Sequence, residues 1–347
     1  MKILFYISKA YSIPIIEPLV KQCNRDEIKF ALYVSKKVKA ALPEYWKELE
    51  IFSFLGEAIS YNPDFVLVPG NFVDYRIPGI KVEIFHGLGV EKAAHYKIRH
   101  LFDVYLTSGP FVTEKYNQLQ QKHKYFYVKE TGWPKVDHIL NFPKQNIRKS
   151  LNLPEDKKIV LFAPTHSSKM QSATALMPII PQIIQTDEIW LVKFHELMSK
   201  EISEKFSQQN ANIIQINSAD ITPYLHAADL LISDTSSVIY EFMTLDKPII
   251  TYNTTGRVDK GINISEPTEL RAAIDQSWQN PTEFSANRKD HLSQINPYLN
   301  GEICQNVLAT LAEIKQNDLI PKKRKPLNLF RKAQLHYHEK FKKGYLR

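Results

Sequence analysis

A run of hydroxyl side chains and two histidines in this 347-residue sequence have the chemistry to bind and transfer a phosphoryl group. The hydroxyls belong to Thr235, Ser236 and Ser237, which follow Asp234 between a short apolar stretch and a predicted helix. Unpaired N–H groups at the start of that helix, together with the hydroxyls, would suit a phosphate. The alternative is that a serine only caps the helix, and both roles are compatible. Glu241 lies one turn further along, where it could reach a ribose hydroxyl or be an ordinary surface acid.

The first histidine, His86, follows the predicted strand 81–85 and is followed by Gly87 and Gly89. The two glycines allow the backbone a sharp turn at the end of the strand. An imidazole that is neutral near pH 7 can take a proton from an attacking hydroxyl, so His86 is a candidate general base. An equally open interpretation is that His86 only forms hydrogen bonds with the backbone of a turn.

The second histidine, His195, ends the predicted strand 189–195, two residues after Lys193. Alternate residues of a strand lie on the same side. Beside a diphosphate, Lys193 would offset negative charge and His195 could donate a hydrogen bond or a proton to the leaving phosphate. Lys193 could instead be an ordinary solvated charge. Thr165, at the end of the predicted strand 158–163, is a further candidate for nucleotide binding.

The elements that must position these residues are short apolar strands that alternate with helical stretches. This alternation predicts an α/β fold with mainly parallel sheets, which bind ligands at the carboxyl ends of their strands. The remaining predicted strands are residues 3–7, 29–34, 65–68, 102–107, 125–128, 212–216, 230–233 and a strand after Pro248. The predicted helices and helical turns are residues 44–54, 57–62, 91–100, 112–121, 222–228, 238–245, 268–278 and 301–315.

The length of the chain suits two domains of about 150 residues each. We predict an N-terminal domain at 1–142, a polar, proline-flanked linker at 143–154, a C-terminal domain at 155–317 and a basic tail at 318–347. A hydrophobic content of 44% with 24% charged residues is typical of a soluble globular protein. Two widely separated cysteines predict neither a disulfide framework nor a zinc site. No apolar run approaches a membrane span or a signal-peptide core, which favours a cytosolic protein.

The net charge of +8 is concentrated in the tail. Residues 321–347 hold ten Lys or Arg and one acid, whereas the rest of the chain holds 35 basic and 36 acidic residues. Outside the tail the chain is therefore nearly neutral, which argues against a nucleic-acid-binding protein. Six tail residues have helical spacing among the basic side chains, namely Leu327, Phe330, Ala333, Tyr337, Phe341 and Tyr345. The pattern favours a helix on an anionic membrane, with a solvated extension as the alternative.

Several separated motifs occur in a fixed order between residues 81 and 252. They are His86-Gly87, Ser108-Gly-Pro-Phe111, Gly132-Trp-Pro-Lys-Val-Asp137, Ala163-Pro-Thr165, Lys193-Phe-His195, Asp234-Thr-Ser-Ser237 and Asp246-Lys-Pro-Ile249. In this order they resemble the CDP-glycerol glycerophosphotransferase family of teichoic-acid and capsule synthesis. The resemblance implies a glycosyltransferase-B fold, with two Rossmann-like domains facing a cleft. It also implies an acceptor on the N-terminal side, near Gly87 and Gly89, a nucleotide donor on the C-terminal side, and neither a metal nor another cofactor.

From these observations we predict an enzyme that transfers glycerol phosphate, or a related polyol phosphate, from a CDP-activated donor. The acceptor would be a hydroxyl of a membrane-linked glycan or lipid, and the enzyme would be peripheral on the inner face of the plasma membrane. His86 and His195 would be catalytic. Lys193, Thr235, Ser236 and Ser237 would hold the donor phosphates, while Glu241 and Thr165 would contact the nucleotide. The alternatives are a nucleotide-sugar glycosyltransferase, a sugar-nucleotide epimerase and a non-catalytic nucleotide- or glycan-binding scaffold at the membrane.

Overall fold

The computed structural model describes residues 1–167, 170–195, 197–199, 201–202, 204 and 210–341. These residues form two compact units, each built on its own parallel sheet. The first unit comprises Met1–His138 and the described residues from Ile295 onward, and the second comprises Ile139–Gln294. The predicted α/β class with two parallel sheets is therefore confirmed.

The strands follow the apolar runs of the sequence. They are β1 Lys2–Ile7, β2 Lys29–Val34, β3 Ile51–Phe52, β4 Phe65–Val68, β5 Ile80–Glu83, β6 Val104–Thr107, β7 Tyr127–Glu130, β8 Lys158–Phe162, β9 Glu188–Val192, β10 Ile213–Gln215, β11 Leu230–Ser233, β12 Ile249–Tyr252 and β13 Ile262–Ile264. The α-helices among the described residues are α1 Ile13–Arg25, α2 Leu55–Tyr61, α3 Pro110–His123, α4 Lys135–Leu140, α5 Ile147–Ser150, α6 Ala173–Leu176, α7 Ile180–Ile183, α8 Thr222–Ala227, α9 Val238–Met243, α10 Leu270–Gln279, α11 Ser285–Ile295, α12 Ile303–Asn317 and α13 Leu329–Phe341.

The order of the strands creates one topological switch point in each sheet. The first sheet has seven strands in the order β3-β2-β1-β4-β5-β6-β7, and the second has six in the order β10-β9-β8-β11-β12-β13. The chain therefore changes direction across the first sheet between β1 and β4, and across the second between β8 and β11. In open parallel sheets, the carboxyl edge at such a point is where ligands bind. The central strands are buried, as their continuous apolar runs predict.

One predicted helix, over residues 91–100, is wrong. The structure has only a short 3-10 turn there, Ala93–Tyr96. Side chains of this segment bind carbonyl oxygens in it and directly before it, since the Tyr96 hydroxyl donates to Val90 O at 2.7 Å and Arg99 Nη1 to Lys97 O at 3.0 Å. The segment is therefore held by side-chain bonds and not by a helical ladder. The sequence prediction also missed the short strands β3 and β13 and the helices α1, α4, α5, α6, α7 and α11.

The C-terminal part of the chain belongs to the first unit from residue 295, whereas we predicted a C-terminal domain that extends to 317. Close contacts explain the difference. A Cβ atom on Gly109 would lie 2.5 Å from Ile295 O, so only glycine permits this approach. Gly132 has a φ of +89°, and a Cβ there would lie 2.7 Å from Ile303 Cγ1. The carboxylate of Asp137 also accepts the N–H of Cys304 at 2.8 Å.

The predicted linker, residues 143–154, contains the short helix α5 and is bound to the second unit. Arg148 Nη2 donates to both carboxylate oxygens of Asp229, at 2.6 and 2.7 Å. The same guanidinium donates to the carbonyl oxygens of Ala227 and Lys157. These charge-assisted hydrogen bonds anchor the segment beside the start of β11.

The described part of the tail contains α13, which agrees with the helical spacing. Lys325 forms an ion pair with Asp103 at 2.7 Å, and the His336 ring lies 2.9 Å from the Tyr75 hydroxyl. Several apolar side chains of the tail face solvent, including those of Leu327 and Phe330, which are 68% and 80% exposed. Tyr345 and the other residues from 342 to 347 lie outside the described residues. In the part of the chain that is described, no helix has both the length and the apolar character needed to cross a membrane.

Candidate functional site

In the first unit, His86 lies just beyond β5 at the carboxyl edge of the sheet. Its ring faces that of Tyr11, with 5.8 Å between the ring centroids. Tyr11 lies beyond the end of β1, so the two rings meet near the β1–β4 switch point. His86 is exposed to solvent, which leaves its imidazole accessible to a substrate.

The sharp turn before His86 is made by Phe85, and not by the glycines that we predicted to make it. Phe85 has a φ of +58°, whereas Gly87 and Gly89 are both outside the left-handed region. A bulky aromatic residue in this region is strained by about 1 to 3 kcal/mol. Such strain persists only where the surrounding contacts impose it, and it is common beside reactive groups.

Aromatic packing imposes this conformation on Phe85. Its ring stacks on that of His95, with centroids 4.8 Å apart, and meets Tyr116 edge-on at 5.3 Å. Trp133 donates its indole N–H to the Phe85 carbonyl at 3.2 Å. Trp133 belongs to the segment Gly132 to Asp137, which resembles a family motif. In this structure that segment positions the loop that carries His86.

The electrostatic surroundings keep His86 neutral at pH 7. Desolvation, and then the positive charges of Arg99 and Lys92, lower its pKa to about 4. The ring still contacts solvent, which limits the desolvation, but the two cations act in the same direction and the neutral form dominates in either case. Desolvation likewise lowers the pKa of His95 to about 3 and raises that of the buried Glu83 to about 8. A neutral imidazole is the form that can accept a proton.

In the second unit, the predicted donor-side residues follow three neighbouring strands. Thr165 follows β8, Lys193 and His195 follow β9, and the segment that begins at Asp234 follows β11. Since these strands are adjacent and parallel, their carboxyl ends bring the residues to one edge of the sheet, at the β8–β11 switch point.

Asp234 organises this edge. Its buried carboxylate accepts hydrogen bonds from the backbone N–H groups of Thr165 at 3.0 Å, Ser172 at 2.9 Å and Thr235 at 2.6 Å. It also accepts the Ser172 hydroxyl at 2.9 Å. Burial raises the pKa of Asp234, while these hydrogen bonds act against the rise. The carboxylate therefore ties the loop after β8 to the end of β11, and the first residue of the family-like motif acts by positioning its neighbours.

The hydroxyls after Asp234 are not used to cap helix α9. Ser237 occupies the N-cap position, but its side chain makes no capping hydrogen bond. Among the described residues, the buried Thr235 hydroxyl has no hydrogen-bond partner. Buried polar groups normally have a partner, so this hydroxyl is left free to form a further hydrogen bond. Ser236 and Ser237 are half-buried beside it.

A pair of histidine rings lies at the same edge. The centroids of His166 and His195 are 4.2 Å apart. His195 Nδ1 accepts the Leu197 N–H at 3.1 Å, so in the neutral ring the proton is on Nε2, which can donate it. Lys193 is half-buried, with its ammonium 3.3 Å from Phe194 O. His166 was not among the predicted site residues, although its position directly after Thr165 was a usable signal.

The two predicted nucleotide contacts are buried. Glu241 is 5% exposed and lies within α9, while Thr165 is 4% exposed and binds Asp234 through its backbone. Their contact with a nucleotide remains a prediction. Among the described residues, no group of three or more His, Cys, Asp and Glu side chains could hold a metal ion.

The motif Asp246-Lys-Pro-Ile249 has a structural role. The Lys247 ammonium donates to the carbonyl oxygens of His226 at 2.7 Å and Ala228 at 2.6 Å, at the end of α8. Asp246 accepts from Arg288 Nε at 2.8 Å, and Arg288 is only 1% exposed. The motif therefore joins α8 and α11 to the start of β12. Sequence reasoning could not separate this role from ligand binding, because both use charged residues at a strand end.

Comparison with solved structures identifies the class of fold. The wall teichoic acid polymerase TagF matches with a TM-score of 0.68 and 15% sequence identity, over 92% of this chain and 90% of that chain. S. aureus MnaA, in a structure with UDP, matches with a TM-score of 0.63 and 14% identity, over 94% and 99% of the two chains. At such identities the likeness concerns the fold alone. The two units thus have the predicted glycosyltransferase-B type of architecture, with two Rossmann-like parallel sheets.

Comparison of sequences identifies the family that the chain resembles. Residues 91–257 match the family described as CDP-Glycerol:Poly(glycerophosphate) glycerophosphotransferase. The teichoic acid glycerol-phosphate primase of Bacillus spizizenii is 34% identical over 111 residues, which are 31% of this chain and 28% of the relative. The chain thus spans less than a third of the length of that relative. The resemblance predicted from the motifs is confirmed, and the matched range contains every predicted donor-side residue.

Proposed function

We propose that this protein transfers a polyol phosphate, glycerol phosphate for preference, from a CDP-activated donor to a hydroxyl of a membrane-linked glycan or lipid. The observation that carries the proposal is the carboxyl edge of the second sheet, where Lys193 and His195 follow β9, and the hydroxyls of Thr235, Ser236 and Ser237 follow β11. This edge lies within the range that matches a family described by its CDP-glycerol donor.

The proposed reaction uses these groups in complementary roles. The acceptor hydroxyl gives its proton to neutral His86, and its oxygen forms a bond to the β-phosphorus of the donor. The bond between that phosphorus and the bridging oxygen breaks, and CMP leaves with the bonding electrons. Lys193, Thr235, Ser236 and Ser237 stabilise the charge of the phosphates, and His195 donates a hydrogen bond or a proton to the leaving phosphate. Glu241 and Thr165 contact the nucleotide of the donor.

A calorimetric titration tests the donor site. We expect selective binding of CDP-glycerol or CDP-ribitol over UDP- and GDP-sugars. In a Ser236→Ala/Ser237→Ala variant we expect at least about 10-fold weaker binding, because each hydroxyl lost removes a hydrogen bond to a charged group. Ser293→Ala, which removes an exposed hydroxyl from α11, is the matched control and should bind as the wild type does.

Three other results of the same titration would contradict parts of the proposal. Selective binding of a UDP- or GDP-sugar would replace the proposal with nucleotide-sugar chemistry on the same fold. An unchanged affinity in the double-serine variant would remove these hydroxyls from the donor site. If no nucleotide binds, a scaffold function takes the place of the enzyme.

The tail provides a means of reaching a membrane-linked acceptor. Leu329 and Phe330 at the start of α13 are 69% and 80% exposed, next to the basic residues Arg331 and Lys332. Exposed apolar side chains among lysines and arginines suit the surface of an anionic membrane, where each cation contributes about 1 kcal/mol. The inner face of the plasma membrane carries such lipids, and we place the protein there.

Sedimentation with phosphatidylglycerol vesicles tests this attachment. We expect binding that weakens with salt and with a Leu329→Ser/Phe330→Ser change, by about 10-fold or more, since two apolar side chains no longer enter the membrane. Leu299→Ser changes another exposed leucine, 43% exposed, outside the tail and is the control. Equal binding by all three proteins would contradict a role of the tail.

A further inference from the structure

The basic tail is bound to the first unit through two of its polar side chains. The Lys325 ammonium forms an ion pair with Asp103 at 2.7 Å and donates a hydrogen bond to Leu101 O at 2.9 Å. The Asn328 amide donates to Arg99 O at 2.7 Å. Lys325 and Asn328 are both half-buried, so water screens these contacts less than it screens a pair on the open surface.

The segment that receives these bonds, residues 97–102, belongs to no helix or strand. Its carbonyl groups therefore need donors from outside a regular ladder, since backbone carbonyls away from water normally have a partner. Arg99 Nη1 donates to Lys97 O within the segment, while the tail supplies the donors for Arg99 O and Leu101 O. We call residues 325–328 the strap, because they fasten this irregular segment to the tail.

The fastened segment carries a guanidinium that acts on His86. Arg99 Nη1 donates to Lys97 O at 3.0 Å and Arg99 Nη2 to Ala94 O at 3.4 Å, so the guanidinium is fixed to its own stretch of backbone and moves with it. Desolvation, and then the positive charges of Arg99 and Lys92, lower the pKa of His86 to about 4. A displacement of the segment would therefore change the surroundings of the candidate base.

The other titratable groups that face His86 cannot replace this cation. His95 is part of the same stretch of chain, and desolvation lowers its pKa to about 3, so it is neutral at pH 7. Tyr11 faces the ring from beyond β1, with 5.8 Å between the centroids, and carries no positive charge. The position of Arg99, which the strap binds through its carbonyl, is thus one of the two sources of positive charge at His86.

The strap also turns apolar side chains away from the first unit. Leu327 and Leu329, on either side of Asn328, are 68% and 69% exposed. Side chains that bind the first unit and side chains that face solvent therefore alternate over a few residues. The strap can hold its segment whether or not these leucines contact a membrane, so its effect on His86 is measurable without one.

We propose that Lys325 and Asn328 are positioning residues for the candidate base: they hold residues 97–102, and with them the Arg99 guanidinium, beside His86. The inference rests on the proposed function, since it assigns part of the tail to the reaction of His86. The tail then serves the chemical step as well as the membrane attachment proposed above. A tail that served the membrane alone would leave the surroundings of His86 unchanged when its contacts are removed.

An NMR titration of the His86 ring tests this role in the whole chain, without substrate or vesicles. The spectrum of His86→Ala assigns the signal. In the wild type the ring should stay neutral down to about pH 5, whereas in Lys325→Gln/Asn328→Gly its pKa should rise by at least about 1 unit, because Arg99 moves away and water reaches the ring. Glycine is chosen because residue 328 has a φ of +46°, which glycine adopts without strain.

Two further variants separate the contacts of the strap from its charge. Arg324→Gln removes the neighbouring cation, which is exposed and forms no ion pair among the residues that the structure describes. Lys325→Arg keeps a cation that can bind Asp103. Both should leave the pKa of His86 within about 0.3 of the wild-type value. If the double variant does not fold, Asn328→Gly alone gives the same test with a smaller rise, since it keeps the ion pair of Lys325.

A double-mutant cycle tests whether the strap acts through Arg99. Arg99→Gln removes the cation and should itself raise the pKa of His86. Adding Lys325→Gln/Asn328→Gly to Arg99→Gln should then raise the pKa by less than about half of the rise seen in the wild-type background, because the charge to be positioned is absent.

Three outcomes would overturn the inference. They are an unchanged pKa of His86 in Lys325→Gln/Asn328→Gly, an equal rise in Arg324→Gln, and full additivity of the strap substitutions with Arg99→Gln. The second would indicate a general effect of the tail's charge, and the third a strap that does not act through Arg99. None of these measurements involves turnover or a nucleotide, so failure of the proposed function and failure of the strap give separate signals.

Discussion

His86→Ala is expected to lower kcat for polyol-phosphate transfer by about 2 to 4 orders of magnitude. The physical reason is that an alcohol is a poor nucleophile until its proton has an acceptor, and neutral His86 is an accessible acceptor at the edge of the first sheet. Donor affinity should be unchanged, because the donor-side residues belong to the second unit. The measurement is single-turnover release of CMP from CDP-glycerol with a saturating acceptor.

A control variant and a pH profile accompany this prediction. His123→Ala removes another histidine of the first unit, at the end of α3, and should retain full activity. The pH dependence provides a second readout: with a pKa of about 4 in the free protein, kcat/KM should fall only as the pH approaches 4 and not near 6.5. A bound anionic substrate favours the imidazolium, so the corresponding pKa in kcat should be higher. An active His86→Ala protein with an unaltered pH profile would exclude His86 as the base.

Asp234→Ala is expected to lower the free energy of unfolding of the second unit by about 3 to 5 kcal/mol. The change removes the acceptor of three backbone N–H groups, those of Thr165, Ser172 and Thr235, and of the Ser172 hydroxyl. Each buried donor left without a partner costs about 1 to 3 kcal/mol. Hydrogen exchange in urea, followed in peptides that cover β8 and β11, measures the loss. Donor binding should be lost with it, because the hydroxyls then have no fixed position.

Asp187→Ala is the control for this effect. The Asp187 carboxylate is half-exposed and pairs with Lys158 at 3.0 Å, so its loss should cost less than about 1 kcal/mol. Asp234→Asn adds a test of the mechanism. The amide keeps one acceptor oxygen but turns an NH2 group toward N–H donors, so its stability should lie between those of the wild type and the alanine variant. An alanine variant as stable as Asp187→Ala would show that Asp234 does not organise the edge.

Much of the fold could be predicted from local patterns. The strands 29–34, 65–68 and 230–233 have the bounds that their apolar runs predicted. A buried parallel strand needs a continuous apolar run whatever its neighbours are, so the signal is present in the sequence. The helix predicted over 91–100 was wrong: side chains of that segment bind nearby backbone carbonyls, and helix propensity does not report such bonds.

For the candidate site, the sequence by itself determined which residues follow a strand and which motifs resemble the glycerophosphotransferase family. Those features are local, since order along the chain decides them. Only the tertiary structure decided what each residue does: Asp234 ties two loops together, Phe85 makes the turn before His86, and Lys325 and Asn328 bind the segment that carries Arg99. These roles depend on which strands are neighbours in a sheet and on how side chains pack. Contacts between residues far apart in the chain set both, and no periodicity of the sequence encodes them.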